Sequence, residues 1–177
     1  MILRRALHAK GLTNKFDVIL LDCPPIVNLC CANALAASDY LLLPVTPNVK
    51  AVERVAPLLR RVMEVKAEGV NPDLNLLGIV VNRHQQTDLT PKEMDLLKDL
   101  PRTCYDVLKT DAYIFDTTVP QRTHFRDAED AFVPPDSTIS KIFESMAEEF
   151  IKRLPHQCLK PNGKQANRIA KAIGGGA

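Results

Sequence analysis

The sequence lacks a long apolar run: no window of its 177 residues approaches the roughly 18 consecutive apolar residues that a membrane-spanning helix needs. At the amino terminus, Met1-Ile2-Leu3-Arg4-Arg5 reaches charged residues before the apolar centre of a signal peptide can form. Both absences argue against the membrane and secreted classes. We therefore expect a soluble, cytoplasmic protein.

The sequence also lacks cysteine pairs of the C-x-x-C type. Of its five cysteines, Cys30 and Cys31 are adjacent, whereas Cys23, Cys104 and Cys158 are scattered. Zinc sites use spaced pairs, and disulfide frameworks belong mainly to small secreted domains. We therefore expect reduced thiols and no zinc.

Acidic residues are absent from the last part of the chain. Residues 155–177 carry four Lys and Arg side chains, which leaves 19 basic and 21 acidic residues in the preceding 154. A composition of 46% hydrophobic and 25% charged residues is ordinary for a globular domain. We expect one domain over residues 1–154 and a basic, flexible tail over residues 155–177.

Apolar runs bounded by Pro, Gly or polar residues predict about four strands, and segments with helical spacing lie between them. The predicted strands are 16–21, 40–45, 76–82 and 113–119. The predicted helices are 2–10, 27–37, 51–67, one from the N-cap Thr90 through Leu100, a short one after Pro101, and 137–154. Alternating strands and helices predict an α/β fold with a doubly wound, mainly parallel sheet.

The first predicted strand ends at Asp22, and Pro24 and Pro25 follow it. Proline cannot continue a strand ladder, and open α/β sheets bind their ligands at the carboxyl ends of strands. Asp22 is therefore a candidate site residue. The alternative is that it only begins a turn, as Asp often does.

The order of these segments resembles the ParA/MinD family of partition ATPases, a branch of the P-loop proteins. The resemblance spans residues 16–154 and is carried by Asp22-Cys23-Pro24-Pro25, Asn33-Ala34-Leu35, Leu43-Pro44-Val45, Asn71-Pro72, Leu77-Gly78-Ile79 and, more weakly, Val119-Pro120-Gln121-Arg122. It implies a partial P-loop NTPase fold, ATP and Mg²⁺ as cofactors, and a role in plasmid or chromosome segregation.

The resemblance also implies roles for single residues. Asp22 corresponds to the Walker B carboxylate, which holds Mg²⁺ through water, and Pro24 begins the switch that follows it. Asn82 corresponds to a residue that binds the adenine edge, although an Asn that merely ends a strand is an equal alternative. Pro120 belongs to a loop near the adenine. Arg122 either borders the nucleotide or is a solvent-exposed loop arginine.

The family's Gly-rich phosphate loop, K-G-G-x-G-K-T, is missing from the sequence, whose single Gly-Lys pair is Gly163-Lys164. The chain begins at what would be the helix before the Walker B strand. Losing one electrostatic donor typically slows a reaction about 10²- to 10³-fold, so without the whole loop we expect no ATP hydrolysis by this chain alone. The missing strand would leave an open apolar sheet edge, which predicts self-association or a full-length ParA/MinD-type partner.

The basic tail carries Lys160, Lys164, Arg168 and Lys171, which are candidates for weak, salt-sensitive DNA contact and hence nucleoid association. Its apolar face contains only two isoleucines, so membrane attachment is not expected. A disordered, solubilising tail is the alternative.

Three functions are consistent with these residues. The first is a ParA-like partition protein whose nucleotide site is incomplete in this chain. The second is a non-catalytic oligomerising or regulatory module that acts on a full-length ParA/MinD-type ATPase. The third, an α/β enzyme with Cys23 as its nucleophile, is the weakest because no His stands near Cys23 in the sequence.

Overall fold

The computed structural model describes residues 2–9, 11–24, 28–84, 88–121 and 137–155. Within them, three strands form a parallel sheet in the order β1 (Tyr40–Val45), β2 (Asn75–His84), β3 (Val119–Pro120). The α-helices are α1 (Ile2–Ala9), α2 (Leu29–Ala37), α3 (Val49–Glu53), α4 (Val55–Ala67), α5 (Pro91–Leu97), α6 (Leu100–Leu108) and α7 (Ser137–Arg153). The predicted α/β fold with a parallel sheet is confirmed.

The main core lies on the pair β1 and β2, which align Tyr40 with Asn75 and Val45 with Val81. Apolar side chains of both strands pack with those of the flanking helices α4 and α6. The buried members of this cluster are Leu43, Val45, Val55, Leu59, Ile79, Val81, Leu97, Leu100 and Cys104. The apolar run of β2 is buried from Leu77 to Val81, as predicted for a central strand, whereas β1 is buried only at Leu43 and Val45.

Most predicted helices are confirmed, and side-chain caps begin three of the described helices, α2, α3 and α5. Thr90 and Glu93 form the predicted capping box, in which Glu93 Oε2 accepts hydrogen bonds from the Thr90 amide (2.9 Å) and hydroxyl (2.8 Å). The predicted helix 51–67 is instead two helices, α3 and α4, which meet at Arg54. Asn48 caps α3 by accepting a hydrogen bond from the Ala51 amide (2.9 Å).

The predicted strand over residues 16–21 is wrong. This segment forms no strand, and Phe16 (55% exposed) and Leu20 (77% exposed) lie at the surface. An apolar run does not make a strand by itself, because a strand also needs a neighbour for its backbone N–H and C=O groups. The described sheet supplies none to this segment.

The predicted strand 113–119 is only partly present. Ile114 makes a single bridge to Ile79, and pairing resumes where Val119 lies opposite Asn82. Three residue steps along β2 therefore correspond to five steps in the partner segment. The two extra residues make a bulge, which leaves backbone N–H groups at residues 116 and 117 without partners in the sheet.

A carboxylate of the last helix satisfies that bulge. Glu149 of α7 accepts hydrogen bonds from the backbone N–H groups of Asp116 (2.7 Å) and Thr117 (2.9 Å), and from the Tyr113 hydroxyl (2.6 Å). One turn later on α7, the Arg153 guanidinium lies 4.2 Å from the centroid of the Tyr113 ring. Helix α7 is thus fixed to the segment that leads into β3.

Gly78 allows the other side of this segment to approach β2 closely. A Cβ atom at Gly78 would lie 2.7 Å from the Phe115 ring and 2.9 Å from the Tyr113 carbonyl oxygen. Phe115 is almost fully buried, and its ring centroid lies 5.4 Å from that of Tyr113. Residues 113–117 are therefore held by β2 on one side and by α7 on the other.

Asn71 is a buried polar residue that joins two elements. Its Nδ2 donates to the carbonyl oxygens of Leu35 (2.8 Å) and Ser38 (2.7 Å) at the end of α2. These carbonyls have no partner inside the helix, because the last turn of a helix always leaves such groups. Asn71 thus fixes the end of α2 to the turn that precedes β2.

We predict that Asn71→Ala lowers the free energy of unfolding by about 1–3 kcal/mol, since it leaves two carbonyl oxygens unpaired. Chemical denaturation measures the change. Asn75→Ala is the matched control, because Asn75 is exposed and its side chain donates to the nearby Asp73 carbonyl oxygen. Equal losses in the two variants would contradict the role given to Asn71.

We also predict a pH effect from Tyr113. Its hydrogen bond to Glu149, together with burial, raises the pKa of Tyr113 to about 12, from an ordinary value of about 10. The neutral hydroxyl therefore stabilises the fold fully below pH ~10, and this stabilisation is lost as the pH rises towards 12.

Spectrophotometric titration tests this, because the chain contains three tyrosines. Tyr113→Phe should remove the component that titrates at the highest pH, whereas Tyr105→Phe should leave that component in place. If the titration component at the highest pH persists in Tyr113→Phe, the hydrogen bond to Glu149 does not raise the pKa of Tyr113 as proposed.

Candidate functional site

Two of the predicted site residues lie together at the carboxyl end of the sheet. Asn82 of β2 is opposite Val119 of β3, and His84 is opposite Pro120. The Asn82 side chain is half-buried, and the structure gives its amide no hydrogen bond to another described residue. Pro120 is buried. A side-chain amide carries both donors and an acceptor, so Asn82 at this end of the sheet can bind the edge of a planar heterocycle.

Asp22 and Pro24 are both exposed and lie outside the sheet. The structure gives Asp22 no hydrogen bond or ion pair with another described residue, including Asn82. Asp22 therefore does not end a paired strand, and its predicted position at the carboxyl end of the sheet is not reproduced.

Several predicted residues fall outside the described part of the chain. These are Arg122, Pro25, and the four basic residues Lys160, Lys164, Arg168 and Lys171. Their roles stay predictions. Near the start of α2, Asn28 is described: its side chain caps the helix by accepting a hydrogen bond from the Cys31 amide (3.1 Å).

The candidate residues suit the base of a nucleotide better than its phosphates and their metal ion. Asn82 and Pro120 suit a nucleobase. Mg²⁺ prefers octahedral oxygen coordination, and no group of three His, Cys, Asp or Glu side chains in the described segments could hold a metal ion. Asp22 alone, exposed and without a phosphate loop in the sequence, does not make a metal or phosphate site. We therefore assign no step to a metal here.

Cys23 does not have the properties of an activated nucleophile. Burial, followed by the neighbouring Cys31, Asp22 and Cys30, raises the pKa of the Cys23 thiol above its ordinary value. A raised pKa lowers the fraction of thiolate, which is the reactive form. Its Sγ lies 3.6 Å from the Leu21 carbonyl oxygen.

A shallow cleft occurs at the opposite end of the strands. It is lined mostly by apolar side chains, among them Leu41, Leu59 and Leu74. The one ammonium group in its lining, that of Lys66, already donates to the Leu74 carbonyl oxygen (2.6 Å). This cleft has few polar groups to offer a ligand, and the carboxyl end of the sheet remains the better candidate.

Sequence reasoning did not identify Glu149 or Tyr113. The two residues are 36 positions apart, and Glu149 is one of three acidic residues in the segment 144–149 of α7. No local pattern distinguishes it from Glu148, which is exposed. Only the tertiary structure shows which of these carboxylates reaches the bulge before β3.

Comparisons with known proteins agree on one group. A family model described as an AAA domain matches residues 1–76. The chain is 40% identical over 93 residues to the chromosome-partitioning ATPase Soj of Thermus thermophilus. The aligned region makes up 52% of this chain and 35% of that protein. It is also 40% identical over 72 residues to the chromosome partitioning protein ParA of Myxococcus xanthus. That region makes up 41% of this chain and 25% of that protein.

A further relative is the sporulation initiation inhibitor protein Soj of Bacillus subtilis, 38% identical over 79 residues that make up 45% of this chain and 30% of that protein. The chain thus spans well under half the length of these curated relatives. Among the described helices, none is long and apolar enough to cross a membrane.

We predict slow alkylation of Cys23. Iodoacetamide at pH 7.5 should modify it no faster than a free thiol, because its raised pKa keeps the thiol protonated. Tandem mass spectrometry can separate Cys23 from the exposed Cys30 as an internal comparison. A rate at Cys23 clearly above that of free glutathione would restore the nucleophile hypothesis.

Proposed function

Because this chain belongs to the ParA/MinD family of partition ATPases, we propose that it supplies the base-binding part of an ATP site in a DNA-partitioning system. On this proposal the chain alone does not hydrolyse ATP. The phosphate loop that neutralises and positions the phosphates must come from elements outside the sequence described.

The observation that supports this proposal is the position of Asn82 opposite Val119, with Pro120 following opposite His84, at the carboxyl end of β2. In open α/β sheets this end is where ligands bind. A side-chain amide can donate to and accept from an adenine edge at once, and the rigid proline gives the ring a flat apolar neighbour. These groups lie on two adjacent parallel strands, β2 and β3.

Phosphoryl transfer depends on positioning and on charge stabilisation around the phosphates. ATP, when bound, supplies the reacting phosphoryl group, and a Walker B carboxylate acts by orienting water on the metal. Asp22 would take that role only if further elements brought it to the carboxyl end of the sheet. In the described structure Asp22 is exposed and lies outside the sheet, which supports base binding without hydrolysis.

We predict that micromolar concentrations of the chain release no phosphate from ATP above the background rate. A coupled phosphate assay measures this, and Asp22→Ala is the control for contaminating ATPases, because it should change nothing. Phosphate release that disappears in Asp22→Ala would defeat the proposal that the site is incomplete.

Base binding has its own test. Asn82→Leu removes the amide while keeping a similar volume, and we expect adenosine to bind at least about tenfold more weakly, as the loss of two neutral hydrogen bonds implies. Equilibrium dialysis with labelled adenosine measures the affinity. The control is Asn33→Leu, whose side chain donates only within α2, to the Leu29 carbonyl oxygen (2.9 Å). Equal affinity in native chain and Asn82→Leu would remove Asn82 from the site.

A second function is favoured by exposed apolar side chains near the amino end. Ile2, Phe16, Leu20 and Leu29 are each at least 55% exposed. Contiguous exposed apolar patches are typical of interaction surfaces, and these four side chains are candidates for one. It supports an oligomerising or regulatory module that acts on a full-length ParA/MinD-type ATPase.

Mixing separates the two functions. A regulatory module should co-elute with a full-length family ATPase and change that enzyme's rate of hydrolysis, and Leu20→Ser should weaken both effects. A chain that binds adenosine yet neither co-elutes nor changes the rate acts through its own base site instead.

A further inference from the structure

The bulge before β3 lies directly upstream of the candidate base site. Residues 115–118 separate the bridge at Ile114 from the strand Val119–Pro120, and β3 itself is only two residues long. So short a strand has few ladder hydrogen bonds to hold its position. Something other than the ladder must therefore hold Val119 and Pro120 in place beside Asn82.

We propose that Glu149 is a positioning residue: through the bulge it sets where Val119 and Pro120 lie relative to Asn82, and thereby which base the site accepts. Only the second part of this inference, the effect on base choice, rests on the proposed function. The first half concerns the geometry of the sheet and can be tested without any ligand.

The hydrogen bonds of Glu149 support this role. Its Oε1 accepts from the Tyr113 hydroxyl (2.6 Å) and the Asp116 amide (2.7 Å), while Oε2 accepts from the Thr117 amide (2.9 Å). Both carboxylate oxygens are therefore used, on two successive peptide groups and one side chain. Hydrogen bonds to a charged acceptor are stronger than those between neutral groups, so this arrangement resists displacement.

Helix α7 keeps the carboxylate in place. Leu154, just after the helix, is buried, and Arg153 lies over the face of the Tyr113 ring at 4.2 Å from its centroid. Burial alone would raise the pKa of Glu149, but the hydrogen bonds from Tyr113, Thr117 and Asp116 outweigh burial and lower it. The carboxylate is therefore ionised, and able to accept all three hydrogen bonds, at neutral pH.

Hydrogen bonds to Ile79 fix the residues before the bulge, so that only the residues after it can move. Ile79 donates its amide to the Tyr113 carbonyl oxygen (2.8 Å) and accepts from the Phe115 amide (2.9 Å), so residues 113–115 cannot shift along β2. Movement released by the loss of Glu149 must therefore appear downstream, at residues 116–120. Those residues include the part of β3 that faces Asn82.

The test compares Glu149→Gln with Glu148→Gln, which makes the same charge change on the neighbouring, exposed residue. In Glu149→Gln one of the two acceptor oxygens becomes a donor group. We expect the amides of Asp116 and Thr117 to exchange with solvent at least tenfold faster, and the NMR resonances of Asn82 and Val119 to shift. Tyr113→Phe, which removes one of the three bonds, should give a smaller change, and Glu148→Gln none.

The ratio of adenosine to guanosine affinity, measured by titration of the same resonances, is the readout that general destabilisation would not move. We expect Glu149→Gln to lower this ratio at a temperature where circular dichroism shows the chain folded. Unchanged exchange and unchanged Asn82 and Val119 resonances in Glu149→Gln would overturn the positioning role. Shifted resonances with an unchanged ratio would overturn its effect on base choice.

The two proposals fail in different ways. If the native chain binds neither nucleoside at Asn82, the proposed function is wrong, while the exchange and resonance data still decide whether Glu149 positions β3. Should Glu149→Gln not fold, Tyr113→Phe carries the same comparison with two of the three bonds intact, and the absence of any shift in it would count against the proposal.

Discussion

The hydrogen bonding of β2 on both of its edges is the constraint on which the rest of the structure depends. On one edge it pairs with β1 over the full length of that strand, and on the other with Ile114, Val119 and Pro120. The helices α4 and α6 cover the resulting apolar surface. Because β2 is the central strand, a residue at its carboxyl end is held more rigidly than one on a loop, and Asn82 has that position.

The candidate site depends on how the second of these edges is built. The pairing there is interrupted by a bulge, and two contacts compensate for the lost ladder bonds: the Glu149 carboxylate on one side and the Phe115 ring over Gly78 on the other. A buried ring and an ionic hydrogen-bond acceptor thus do what a longer strand would otherwise do. Helix α7, though distant in sequence, becomes part of the support of the site.

Sequence reasoning succeeded where the physical determinants are local. Strand β1 and the capping box of Thr90 and Glu93 follow from neighbouring residues alone, and both were predicted with their correct positions. It failed for residues 16–21 and for the bulge, since both depend on which strand lies alongside. Glu149 gave no signal at all, because its partners at Asp116 and Thr117 are more than 30 residues away.

The central claim is that a nucleobase binds between Asn82 and Pro120, and photoaffinity labelling tests it most directly. Irradiation with 8-azidoadenosine, followed by peptide mapping, should place the label within residues 79–84 or 119–121, and excess adenosine should suppress it. Label confined to the apolar cleft at the other end of the strands, near Leu41 and Leu74, or label that adenosine does not suppress, would contradict the account.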